Sequence, residues 1–130
     1  MNEPRILGKP VGAFSPGLVA PAGQLVFLSG QVALDAQGKI VGAYDVGAQT
    51  RFIFGKIQAL LEEAGGSLAS IVKLTTFMTD MRRFSEFGAV RDQLFTPPYP
   101  ASSTVQIGGL THPEMMLSID AIAVLPARPE

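Results

Sequence analysis

The sequence has 130 residues, of which 47% are hydrophobic, and this is enough material for one domain with a single core. Its formal net charge is −1 and it has no long run of Lys or Arg, so a surface that binds nucleic acid or an anionic membrane is not predicted. The absence of cysteine excludes disulfides, thiolate metal ligands and a cysteine nucleophile.

We expect residues 1–130 to form a single domain in the cytoplasm. The N-terminal segment MNEPRILGKPVG lacks the apolar core of a signal peptide. No later segment approaches the roughly 18 apolar residues that span a bilayer. Export and membrane insertion are therefore not predicted, and the lack of cysteine suits a reducing compartment.

Two strands are predicted in the segment LVAPAGQLVFLSGQVAL, because β-branched and aromatic residues flank the turn signal Pro21–Ala22–Gly23. We expect a hairpin there, with its second strand near Leu25 to Val32. Within that strand, Ser29 and Gly30 interrupt the pattern. A glycine at such a point indicates either a β-bulge, which is the more common case, or a close approach of a ligand to backbone N–H groups.

A long helix is predicted next. Asp45 can cap its first turn, and Gly65 with Gly66 can end it. The predicted apolar stripe consists of Phe52, the Lys56 stem, Ile57, Leu60, Leu61 and Ala64.

The remaining segments alternate strand and helix. SIVKLTTFMT alternates as a strand, Asp80 can cap a helix over MRRFSEFGAVRDQLF, and TPPYP ends that helix because proline cannot continue it. The strands STVQIGG and MMLSIDAIAVL follow. The order β-β-α-β-α-β-β predicts an α+β fold in which two helices cover one face of the sheet.

Apolar residues occur on both faces of the predicted sheet. In SIVKLTTFM, Phe77 points to one side while Leu74 and Met78 point to the other. A sheet face without helices needs another cover, and copies of the same face are the simplest one. We therefore expect a homo-oligomer, with any cleft built between its subunits.

Few residues suit acid–base or metal chemistry. His112 is the only histidine and lies beside a proline in LTHPEM, which favours a turn residue over a catalytic base. The HExxH motif, paired histidines and cysteine clusters are absent, so neither a metal site nor a cofactor is predicted.

Two of the last strands carry polar rows. Period-two geometry places Ser102 and Thr104 on one face of their strand, and it places Asp120 away from the apolar row of the last strand. If the two strands pair, Ser102, Thr104 and Asp120 line one polar pocket. The alternative is that Asp120 is solvated at an edge and the serines only begin a strand.

Five segments in chain order resemble the reactive-intermediate deaminase family, also called YjgF-like or Rid proteins. They are GAFSPG, FLSGQV, AQTR with LLEEAGGSLASIVKLTTFMTDM, YPASSTVQI and LSIDAIAVL. The resemblance runs from about Gly12 to Val124. It implies a chorismate-mutase-like fold and a homotrimer whose sheets form a central barrel. It also implies small-molecule clefts at the subunit interfaces, where imino or enamino acids are hydrolysed to keto acids and ammonia.

The resemblance also implies site residues. The family arginine that grips a substrate carboxylate is replaced here by Ser102, whose hydroxyl offers one donor and no charge. Asp120 stands at the position of a family glutamate and would be the catalytic residue that orients water. No visible base would activate a hydroxyl as a nucleophile. The implied ligand-binding residues are Phe14, Ser29, Gly30, Ser102 and Thr104.

Two functions stay open on this basis. The first is a hydrolase of small enamines or imines with a divergent substrate, such as a 2-aminomuconate-like compound. The second is a catalytically inactive trimer that acts as a small-metabolite-binding or regulatory protein. Arg51 or Arg91 is an alternative source of carboxylate recognition across an interface, although solvated helix faces are the more ordinary interpretation of both. A ribonuclease activity fits poorly with the near-neutral charge and the single histidine.

Overall fold

The main sheet has four strands. The structure, a computed structural model, describes residues 3–126. Across the sheet the strands lie in the order β3 (Gly23–Gln31), β6 (Leu117–Pro126), β4 (Ile71–Met78) and β5 (Ala101–Gln106). β4 and β5 are parallel, and the other two pairs are antiparallel. Two short strands, β1 (Arg5–Leu7) and β2 (Gly17–Val19), form a separate antiparallel pair.

The hairpin predicted around Pro21–Ala22–Gly23 is not formed. β2 pairs with β1, and β3 pairs with β6, although β3 itself lies close to its predicted position. A Cβ atom at Gly23 would collide with the carbonyl oxygen of Leu125. The glycine therefore allows β3 to approach β6 closely, and this long-range contact replaces the local turn.

The first helix, α1 (Val46–Ala64), has the predicted ends. An Oδ1 atom of Asp45 accepts a hydrogen bond from the N–H of Ala48 at 3.0 Å. Gly65 ends the helix with a φ of 96°, a conformation that side chains disfavour. The buried stripe is rotated from the predicted one, because two polar residues occupy core positions and Leu60 and Ala64 are exposed. The buried residues are Val46, Gln49, Thr50, Ile53, Phe54, Ile57 and Leu61.

Gln49 of α1 is completely buried and fully hydrogen bonded. Its Nε2 donates to the carbonyl oxygens of Gly42 and Glu114, at 2.9 and 2.8 Å. Its Oε1 accepts from the N–H of Met116 at 2.7 Å. A buried amide destabilises a protein unless its polar atoms are paired. The bonds to Glu114 and Met116 fix the β5–β6 loop to α1, and the bond to Gly42 fixes the segment that precedes α1.

The second helix, α2 (Phe84–Leu94), begins after a 3-10 turn of three residues, and Asp80 caps this turn. Phe54 of α1 packs against Phe87 and Phe95, with ring centroids 6.4 and 5.3 Å apart. Aromatic pairs at these separations attract one another beyond simple burial. They hold α1 and α2 together.

The two faces of the sheet differ. Leu74 of β4 and Ile119 of β6 are completely buried in the core that also contains the helix residues. On the opposite face, Leu25 and Phe27 of β3 are 59% and 69% exposed, and Val105 of β5 is 47% exposed. We call this second face the open face. It is the uncovered apolar face that the sequence pattern predicts.

Candidate functional site

Ser29 and Gly30 form a β-bulge in β3. The register of β3 against β6 shifts by one residue between Leu28 and Gln31, which confirms the bulge interpretation. A Cβ atom on Gly30 would lie 2.5 Å from the Oγ of Ser118, so β3 needs a glycine where it passes β6. Ser29 and Gly30 are both exposed, so a ligand can also reach them.

Ser102 and Thr104 lie on the helix side of β5. They are in register with Leu74 and Thr76 of β4, whose side chains belong to the buried face. The Oγ of Ser102 is buried and has no hydrogen-bond partner within residues 3–126. A buried hydroxyl without a partner is unusual, since most such groups are paired.

The predicted pocket of Ser102, Thr104 and Asp120 is wrong for a single chain. β5 and β6 do not pair, because β4 lies between them. Asp120 is in register with Thr75, which points to the open face, whereas Ser102 points to the helix side. The parallel crossover through α2 puts β5 at the edge of the sheet, and this separates the two polar groups.

Asp120 belongs to a polar row on the open face. The row runs across three strands through Ser103 of β5, Thr75 of β4 and Asp120 of β6. Lys73 extends it, because its Nζ donates to the Oγ of Ser103 at 2.8 Å. Asp120 is half-buried and forms no hydrogen bond or ion pair with any residue of the range 3–126. Sequence reasoning missed Lys73 and Thr75, although their alternation in VKLTTF marks one face of β4.

Phe14 is held at the beginning of β5. The neighbouring Ser15 donates from its N–H to the carbonyl oxygen of Pro100 at 2.9 Å and from its Oγ to that of Tyr99 at 2.7 Å. Ser15 also forms a parallel bridge with Ala101. The segment that carries Phe14 is therefore attached two residues before Ser102.

Of the two helix arginines, Arg51 fits the solvated interpretation and Arg91 does not. Arg51 is exposed and donates to Gln93. Arg91 is only 6% exposed, and its guanidinium lies 5.6 Å from the ring centroid of Phe14. The sequence signal was present, because Phe84 lies seven residues before Arg91 on the same helix face.

The shifted pKa values belong to surface ion pairs. Hydrogen bonds from Arg82 lower the pKa of Asp80 below its ordinary value of 3.8. A hydrogen bond from Arg83 likewise lowers the pKa of Glu86. Both ion pairs lie near the beginning of α2, where the Asp80 side chain is 26% exposed and that of Glu86 is 43% exposed. They therefore indicate local structure at this end of the helix. His112 is exposed in a turn, as predicted.

Metal and membrane features are absent from the described part of the chain. No group of three or more His, Cys, Asp or Glu side chains in residues 3–126 is arranged to hold a metal ion. None of the helices there is both long and apolar enough to cross a bilayer.

A cavity of about 570 Å³ lies beside α1, but it does not contain the predicted site. Its lining includes Gln58, Leu68, Leu94 and Arg51, the alternative carboxylate-binding arginine, but it includes neither Asp120 nor any of the five implied ligand-binding residues. The predicted site residues lie on opposite faces of the sheet, so they do not line a common cavity within one chain.

Comparison with known proteins identifies the family of the chain. The sequence model of the family described as Endoribonuclease L-PSP matches residues 5–125. A RutC family protein of Pyrococcus abyssi is 33% identical over 116 residues, which are 88% of this chain and 88% of that protein.

Solved structures agree with the sequence comparison. YyfB of Yersinia pestis, from the Rid protein family, matches with a TM-score of 0.85 at 27% identity, over 96% of this chain and 100% of that chain. TdcF of E. coli, solved with bound serine, matches with a TM-score of 0.72 at 33% identity, over 95% and 94% of the two chains. These likenesses confirm the predicted α+β fold. The chain therefore belongs to the Rid (YjgF-like) family.

Proposed function

We propose that this chain is a cytoplasmic homotrimeric deaminase that hydrolyses small enamine or imine metabolites in clefts between its subunits. The observation that supports this most is the position of Asp120. It is an acid on the open face, beside Thr75, with no hydrogen bond or ion pair to other residues in 3–126. A carboxylate that is not occupied by a cation can accept a proton from water.

The cleft is proposed between subunits because, within one chain, the site residues lie on opposite faces of the sheet. Ser102 and Thr104 lie on the helix side of the edge strand, while Asp120 lies on the open face. The exposed Leu25, Phe27 and Val105 would be covered if copies of the open face packed together. Such an assembly would bring the edge strand of one copy near the polar row of another.

The proposed chemistry needs water and no redox step. An enamine first becomes its imine tautomer by moving a proton from nitrogen to carbon. Water then adds to the carbon of the C=N bond while Asp120 accepts one proton from the water and passes it to the nitrogen, which gives a neutral carbinolamine. The proton of the new hydroxyl group moves to the same nitrogen in the next step. The carbinolamine formed loses its C–N bond, so that ammonia leaves and a C=O bond remains. One water is consumed and one ammonia is released.

A 2-aminomuconate-like compound is our proposed substrate. The support is the departure at Ser102, because a hydroxyl at the position of the family arginine changes the charge that a ligand meets there. The serine bound to E. coli TdcF, a relative at 33% identity, supports a small polar ligand for this chain as well.

Ammonia release tests the proposal. We would generate 2-aminoacrylate and 2-aminomuconate in place with upstream enzymes and compare hydrolysis with and without this protein. We expect acceleration of at least one compound, and we expect Asp120→Asn to reduce it by about 100-fold or more, as for a lost general base. The matched control is Glu63→Gln, which removes an exposed carboxylate of α1 and should leave the rate unchanged.

The alternative function is a trimeric binding or regulatory protein without catalysis, and Ser102 is the residue that favours it. If the protein accelerates the hydrolysis of neither compound and small metabolites stabilise it against heat, the binding or regulatory function is supported and the deaminase is refuted. Equal rates for the wild type and Asp120→Asn would instead remove Asp120 from the mechanism. RNA cleavage is not proposed, because the chain has one histidine and it is exposed in a turn.

A further inference from the structure

Arg91 of α2 is a buried cation surrounded by aromatic rings. Its side chain is 8% exposed. The centre of its guanidinium lies 5.6 Å from the rings of Phe14 and Phe87 and 5.7 Å from the ring of Phe84. Stacking of this kind favours arginine, whose flat group packs on ring faces. The three rings hold the guanidinium in one orientation.

Most of the donors of Arg91 are unused. Its hydrogen bond within residues 3–126 joins Nε to the Oδ1 of Asp92 at 3.3 Å, which is long for a charged pair. The Asp92 side chain is 57% exposed, so the pair is weak. The guanidinium has five N–H groups in its plane, and neither terminal nitrogen donates to an acceptor in that range. Neither terminal nitrogen is among the fully buried atoms of residues 3–126 that lack a partner, so acceptors from outside the chain can reach them.

The helix leaves space beside one of these nitrogens. Gly88 lies one turn before Arg91, and a Cβ atom there would be 3.8 Å from Nη2. Any side chain larger than a methyl group at this position would cover the nitrogen. Gly88 is itself buried, and its lack of a side chain leaves room beside Nη2.

A second unpartnered donor lies on the helix side of β5. Ser102 has a buried Oγ without a hydrogen bond among the described residues. The Phe14 segment connects the two groups, because its ring contacts Arg91 and the adjacent Ser15 is bonded to Pro100, two residues before Ser102. A guanidinium and a hydroxyl are both donors to a carboxylate.

We propose that Arg91 binds the carboxylate of the ligand, with the hydroxyl of Ser102 as an additional donor. This inference rests on the proposed function, and it names a further ligand-binding residue, on α2, for the same site. The cation that β5 lacks is supplied by α2 of the same chain. An arginine fixed by three rings offers paired N–H groups to two carboxylate oxygens without losing further side-chain freedom.

Calorimetric titration of the full chain with pyruvate tests the assignment. We expect the wild type to bind pyruvate and Arg91→Gln to bind it at least about tenfold more weakly, because a charged paired donor is lost. Arg51→Gln is the matched control, since it removes an exposed helix arginine, and its affinity should equal that of the wild type. A crystal structure with pyruvate should place the carboxylate on Arg91.

If Arg91→Gln does not fold, the wild type still tests the assignment through its affinities for pyruvate and for pyruvamide. Pyruvamide has the shape of pyruvate without its charge, and we expect it to bind at least about tenfold more weakly. Absence of pyruvate binding, equal affinities for pyruvate and pyruvamide, or undiminished binding to a folded Arg91→Gln would each overturn the assignment.

The titration is independent of turnover, so its failure and that of the deaminase proposal are distinguishable. Asp120→Asn should lose ammonia release and keep pyruvate binding. Turnover without pyruvate binding would overturn only the role of Arg91. Pyruvate binding through Arg91 without turnover would leave that role in place and favour the binding protein.

Discussion

Gly30 meets Ser118 at the bulge of β3, where no side chain fits without movement. We expect Gly30→Ala to lower the free energy of unfolding by about 1 kcal/mol, at the low end of overpacking effects because the Ser118 hydroxyl can rotate. Urea unfolding measures this difference. Adding Ser118→Ala removes the Oγ that the new Cβ would meet, and it should restore most of the lost free energy of unfolding. A double variant no more stable than Gly30→Ala would contradict this explanation.

The site residues show what period-two reasoning can determine. It placed Ser102 and Thr104 correctly on a shared face, because alternation is a local property of a strand. It did not reveal that Asp120 lies on the opposite face of the sheet, because relative faces depend on which strands pair. Arg91 was misjudged in part for a related reason, since one of the three rings around it belongs to Phe14, which is distant in sequence.

At the scale of elements, the cap of α1 carries a measurable part of the stability. Asp45→Ala removes the acceptor for the N–H of Ala48, and we expect a loss of about 1 kcal/mol in the free energy of unfolding. Asp45→Asn keeps an acceptor oxygen and should lose much less. Thermal or urea unfolding of the three proteins would check this. Equal losses for both variants would mean that the charge, rather than the hydrogen bond, matters.

The ends of the helices were predictable, and the strand neighbours were not. Asp45, Gly65 and Asp80 act on backbone groups within a few residues, so their effects are visible in the sequence. The pairing of β1 with β2 and the position of β4 between β6 and β5 depend on contacts between distant segments. The rotated stripe of α1 has a similar cause, since Gln49 is buried only because distant backbone groups satisfy it.

For the whole molecule, the open face predicts assembly. We expect sedimentation to give about three times the 13.7 kDa chain mass. Phe27→Glu should shift the protein to smaller species, because it would bury a charge without a partner. Val11→Glu is the control, since Val11 is 79% exposed outside the sheet. A wild type that sediments as a monomer would refute the trimer. If Phe27→Glu has the same sedimenting mass as the wild type, Phe27 does not lie in the interface.

The buried amide of Gln49 has a consequence for the length of the β5–β6 loop. Gly108 and Gly109 lie in open space, and insertions there lengthen a loop whose entropy rises only slowly with size. An insertion between Glu114 and Met116 would instead separate two backbone groups that the same amide holds. One side chain thus divides the loop into a part that tolerates extra residues and a part of fixed length.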